Sequence, residues 1–109
     1  MAYKVVITPI ANHQLEMYIS HTLTEFKNRQ AAKAISNDAR ITKKRLENVA
    51  GSLALCENET LAKYGYRRIF FDKHDYFMVY RIDGDTVIVE AMYHQLQDYE
   101  EVFISRQNL

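Results

Sequence analysis

The chain reads as an α+β domain of order β-α-α-β-β-β, an antiparallel sheet with an N-terminal helical hairpin packed on one face. Three observations predict this. A short alternating run, "YKVVIT", opens the chain. Two long stretches follow in which apolar residues recur at helical spacing, separated by the break "KNRQ". The second half then holds three β-like runs, "AKYGYRRIFF", "DYFMVYRI" and "TVIVEAMY", and the last two flank Asp83-Gly84, the strongest short hairpin signal.

Each element has a local reason. Residues 3–8 alternate like a strand, and Thr8-Pro9 marks a helix start. The threonine oxygen can cap free N–H groups, and proline's missing N–H costs nothing in a first turn. Ile10, Ala11, Leu15, Tyr18, Ile19, Leu23 and Phe26 form one face of that helix. Asn28 is placed to cap the second helix, where Ala32, Ile35, Ala39, Thr42, Leu46 and Val49 repeat at steps of three and four. Gly51 is expected to end it. Residues 52–61 are weakly patterned and read as loop.

In the sheet, a two-residue turn at Asp83-Gly84 fixes the register and so the faces. Ile82 then opposes Asp85, Tyr80 opposes Val87, Met78 opposes Val89 and Tyr76 opposes Ala91, an apolar face for the helices. The other face carries Phe77, Val79 and Arg81 beside Thr86, Ile88, Glu90, Met92 and, at the rim, His94. If the four residues "DKHD" make the preceding turn, Phe71 opposes Tyr76, Arg68 joins the Arg81 face and Arg67 turns toward the core; a one-residue change in that turn would swap the two arginines.

A chain of 109 residues with 48% apolar and 26% charged residues fits one domain, spanning 1–109. No apolar run approaches the ~18 residues needed to cross a bilayer, and the start lacks the layout of a signal peptide. Cys56 has no partner within the chain, which points to an inert thiol in the reducing cytoplasm. Net charge is zero but unevenly spread. Lys27 to Ala50 holds seven basic residues against Asp38 and Glu47, whereas Asp83 to Leu109 holds six acidic residues against Arg106. The basic stretch is either a face for a polyanion or a self-solvating helix surface.

The residues that carry chemistry gather on the face left open: Arg68 (or Arg67), Arg81, Glu90 and His94, with Tyr99 just beyond the strand. Metal-independent RNA cleavage needs a base for the 2′-hydroxyl, cations for the charge developing on phosphorus, and an acid for the departing oxygen. His94 titrates in the useful range, the arginines match phosphate geometry, and Tyr99 could donate a proton or stack on a base. A plainer reading stands beside this one. Arg81 and Glu90 could form a cross-strand salt bridge, Tyr99 and Phe103 could dock a C-terminal helical turn, and His94 could be a hydrogen-bonded surface residue. His13 and His21 read as surface residues, and nothing resembles a zinc site, a P-loop or a dinucleotide fingerprint, so no metal or cofactor is expected.

The ordered set "YKVVITPIANHQLEMYI", "YGYRRI" and "YFMVYRIDGDTVIVEAMYHQLQDYEEVF" resembles the RelE/ParE superfamily of type II toxin–antitoxin toxins from about Tyr3 to Phe103. The resemblance implies a small bacterial toxin neutralised by a cognate antitoxin that wraps an extended or helical segment around it. RelE-like members cut mRNA on the ribosome with basic residues on the sheet and a C-terminal His or Tyr. ParE-like members inhibit DNA gyrase without a nuclease site. The arginines of "RRI" and the pair His94 and Tyr99 match the first group, so ribosome-associated mRNA cleavage is the expected activity and gyrase inhibition the alternative. Outside the superfamily, the competing reading is a small binding domain with no toxic activity. Many RelE-like toxins carry an arginine just before the "VY" of the middle strand; here "YFMVY" has Phe77 and Met78, and Arg81 would have to stand in.

Overall fold

A computed structural model describes residues 2–109. The elements are β1 (Lys4–Ile7), α1 (Pro9–Glu25), α2 (Arg29–Val49), a 3-10 turn (Ala50–Ser52), α3 (Glu59–Lys63), β2 (Arg67–Phe70), β3 (Tyr76–Asp83), β4 (Thr86–His94) and α4 (Tyr99–Gln107). The helix starts follow their caps. The Thr8 side chain accepts from the Ala11 N–H at 3.2 Å, and Asn28 accepts from that of Ala31 at 3.0 Å. The α2 seam is buried as the spacing predicts, through Ala32, Ile35, Ala39, Thr42 and Leu46. On α1 the buried stripe is narrower than expected: Ala11 and Thr22 are buried, but Ile10 is 52% and Phe26 69% exposed.

The sheet has the order β1-β4-β3-β2. β2, β3 and β4 form an antiparallel meander, as expected, but β1 pairs parallel to β4, which makes the sheet mixed. The helical hairpin supplies the long crossover that a parallel pair requires. Gly51 does not stop α2 by a left-handed turn; the glycines with positive φ are Gly65 and Gly84. Its lack of a side chain matters instead, because a Cβ there would lie 2.5 Å from the Tyr3 hydroxyl oxygen. The 52–61 segment is also not all loop, since α3 begins at Glu59 under an Asn58 cap.

Both faces of the sheet are buried. Leu46, Ile69, Met78, Tyr80, Val87, Val89 and Met92 pack under the α1–α2 hairpin. On the face expected to be open, Leu61, Tyr66, Phe77, Val79, Ala91 and Tyr93 pack with Tyr99 and Phe103 of α4. The acidic tail therefore folds back over that face, with Phe103 fully buried.

Candidate functional site

The hairpin turn sits one residue later than expected, at Gly84-Asp85, with Asp83 opposite Thr86 and Ile82 opposite Val87. Gly84 takes the positive φ of 63° that the first loop position requires. This two-residue shift of register leaves the faces of the near half unchanged. Further along, Tyr80 opposes Val89 but Val79 opposes Ala91, so Glu90 is an extra residue on β4, a β-bulge. Past the bulge every side chain of β4 changes face. Ala91 and Tyr93 thus join Phe77 under α4, while Met92 turns to the helical hairpin.

His94 goes with Met92 rather than with the arginines. It opposes Tyr76 and packs edge-on against that ring at 5.2 Å, on the hairpin side of the sheet. Its Nδ1 accepts from the Leu96 N–H at 3.1 Å, and its own backbone N–H donates to the Gln97 side-chain oxygen at 2.7 Å. The expected grouping of His94 with Arg68 and Arg81 on one face is therefore not found, and the bulge at Glu90 is the reason.

Arg68, Arg81, Glu90 and Tyr99 occupy the α4 side and are largely committed to one another. Arg81 donates to Glu90 at 3.1 Å, the cross-strand ion pair. Arg81 opposes Ile88, so Glu90, two residues further along β4 on the same face, reaches it diagonally. Arg68 lies with its guanidinium 5.0 Å from the Phe77 ring centre and 5.2 Å from those of Phe70 and Tyr99. Arg67 points to the hairpin side, where it reaches the carbonyls of Ala50 at 3.4 Å and Gly51 at 3.2 Å. Tyr99 is only 7% exposed. Burial, then the neighbouring Cys56, pushes its hydroxyl far above the ordinary tyrosine value. It is a poor acid and a core residue, and it docks α4 together with Phe103. Cys56 is buried, which raises its thiol and makes it a weak nucleophile.

Two polar clusters lie outside the expected set. Asp38, 3% exposed, sits within the α2 seam. Its carboxylate accepts from the N–H groups of Asp72 at 3.2 Å and Lys73 at 2.9 Å, and lies 2.7 Å from His74 Nδ1. It thereby pins the β2–β3 loop to the helix. The sequence does hold a signal for this: an aspartate on the apolar side of a helix must find donors. At the exposed end of β4, the Gln14 side chain accepts from the Met92 N–H at 2.8 Å, and the Tyr18 hydroxyl meets the Met92 carbonyl at 3.1 Å and Gln97 at 2.8 Å. Burial lifts the Tyr18 hydroxyl to about 12, which keeps it a neutral donor. Among the described residues no three His, Cys, Asp or Glu side chains cluster to hold a metal ion, and no helix is long and apolar enough to cross a membrane.

A helical hairpin over a four-stranded mixed sheet, closed on the other side by α4, defines a small α+β domain. Residues 5–99 match the family described as ParE toxin of type II toxin-antitoxin system, parDE. The chain belongs to this family, within the RelE/ParE superfamily. Among solved structures it is similar to a chain of the chromosomal ParDE toxin–antitoxin system from P. aeruginosa, with 19% identity and a TM-score of 0.70 over 85% of this chain and 96% of that one. It is also similar to a chain of the toxin–antitoxin complex RelBE2 from Mycobacterium tuberculosis, with 18% identity and a TM-score of 0.56 over 86% of this chain and 99% of that one. No curated protein matches the chain.

Proposed function

We propose that this ParE-family toxin arrests growth by binding DNA gyrase in the bacterial cytoplasm, without cleaving RNA, and that a cognate antitoxin neutralises it by binding. The observation that supports this most is the bulge at Glu90, which separates His94 from Arg68 and Arg81 across the sheet. General acid–base catalysis needs the proton-transfer group within reach of the same substrate atom as the charge-stabilising groups. With His94 on one face and Arg68 and Arg81 on the other, these three groups do not converge on one phosphate. The other candidates are engaged already: Arg81 by Glu90, Arg67 by helix-end carbonyls, and Tyr99 by the core. The absence of net charge points the same way, since a protein that tracks ribosomal RNA gains from a basic excess.

Inducing the protein alone in bacteria tests the proposal, with new RNA 5′-ends mapped and the DNA-damage response monitored. The expected result is growth arrest with DNA damage, no codon-internal cuts, and undiminished toxicity of His94→Ala. Cuts within translated codons that vanish in His94→Ala and Arg68→Ala would replace this reading with mRNA cleavage on the ribosome.

A further inference from the structure

We propose that the concavity between the first half of α1 and the last turn of α4 is a binding site for a small organic monocarboxylate, with its apolar body along α1 and its carboxylate between Arg106 and the buried hydroxyl of Tyr93. The inference goes beyond the gyrase reading and borrows nothing from it.

β1 ends at Ile7, opposite Val89, so the last part of β4 has no strand beside it on that edge. α1 covers it instead: Gln14 accepts from the Met92 N–H at 2.8 Å, and the Tyr18 hydroxyl meets the Met92 carbonyl at 3.1 Å. The next residue, Tyr93, lies against Phe103 of α4, with ring centres 6.5 Å apart. Arg106 stands three residues on, along the same side of that helix. Tyr93 is only 3% exposed, and its hydroxyl is the one buried side-chain polar group without a hydrogen-bond partner among the described residues. An unmade bond at a buried donor is costly, so such a group calls for a physical reason. Burial raises this hydroxyl above the ordinary tyrosine value, and the polar side chains that act on it are Gln14 and Arg106. It is a neutral donor with no acceptor.

Gln14 and Arg106 also line a concavity of about 500 Å³, which falls in the size range of small-molecule sites. Its apolar wall is Pro9, Ile10 and Met17, the last two more than half exposed. Arg106 carries the one permanent charge of the lining and enters no ion pair among the described residues. An unpaired guanidinium beside an unpaired hydroxyl donor fits an oxyanion, and the charge-assisted bond to arginine is the stronger of the two. One cation matches one negative charge, which favours a carboxylate over a phosphate dianion. The wall of Pro9, Ile10 and Met17 then calls for an aliphatic or aromatic body of a few carbons. The Tyr93 hydroxyl is covered, so the carboxylate reaches it by parting the side chains above. Arg106 is exposed and unpaired, and it can swing with the ligand.

The test titrates the full chain, labelled with nitrogen-15, with hexanoate, and uses hexanol, hexylamine and inorganic phosphate as controls. We expect saturable amide shifts centred on Gln14, Tyr18 and Arg106 with hexanoate, and much weaker binding of the three controls. Arg106→Gln should weaken hexanoate binding about tenfold and Tyr93→Phe about fivefold, as expected for a charge-assisted and a neutral hydrogen bond. Arg106 is exposed, so its substitution leaves the fold intact. Tyr93→Phe should leave the denaturant midpoint of the free protein unchanged or higher, because it removes a hydroxyl that bonds to nothing. Hexylamine or phosphate binding as tightly as hexanoate, no saturable shift at these residues, hexanoate affinity untouched by both substitutions, or a lower midpoint in Tyr93→Phe would each overturn the proposal. None of these readouts depends on toxicity, so failure of the gyrase reading and failure of this one are separately visible.

Discussion

Asp38 shows how a single side chain can hold two elements together. Its burial disfavours the charged carboxylate, but hydrogen bonds from His74, Lys73 and Asp72 outweigh that penalty and hold the carboxyl below its ordinary value. A depressed folded-state value means stability that is present above the unfolded value and lost as pH falls through the folded one. Stability should therefore drop as pH is lowered below about 4, and Asp38→Asn should flatten that acid limb in denaturant titrations across pH. At neutral pH, Asp38→Ala should cost about 1–3 kcal/mol by freeing the β2–β3 loop. The Tyr80 hydroxyl offers a milder contrast. It donates to the Ala50 carbonyl at 2.8 Å, and burial lifts it to about 12. Because Arg67 also reaches that carbonyl, Tyr80→Phe should cost only about 1 kcal/mol, measurable as a shift in denaturant midpoint.

Among the elements, those with strong local signals are legible in the amino-acid sequence. Thr8-Pro9 and Asn28 cap where their side chains allow, the α2 seam is buried at its periodic positions, and the "DKHD" turn places Arg68 and Arg67 on opposite sides. The bulge is not legible. Ala91, Met92 and Tyr93 are all apolar and all buried, so the alternation that would betray an extra residue is silent there. One misplaced residue is enough to carry His94 to the wrong face. The partner of β1 is hidden for a different reason, because strand pairing across a long crossover leaves no mark in local pattern. For α4, the spacing of Tyr99 and Phe103 does signal a docked turn, but not that it closes the second face. Phe103 is fully buried there, so Phe103→Ala should cost about 3–5 kcal/mol and loosen α4, seen as faster hydrogen exchange over Tyr99–Gln107.

For the whole molecule, a sheet buried on both sides leaves its working surfaces at the edges and on the helices. The α1–α2 hairpin carries most of what is exposed and distinctive: the cationic row at Arg40, Lys43 and Lys44, and the bare apolar side chains Ile10, Met17 and Phe26. The most direct measurement is DNA supercoiling by purified gyrase, with relaxed plasmid and ATP, titrated with this protein and with its His94→Ala variant. Dose-dependent loss of supercoiling, equal for the two proteins, is the predicted result. Undiminished supercoiling in the presence of a protein that still arrests growth would contradict the account.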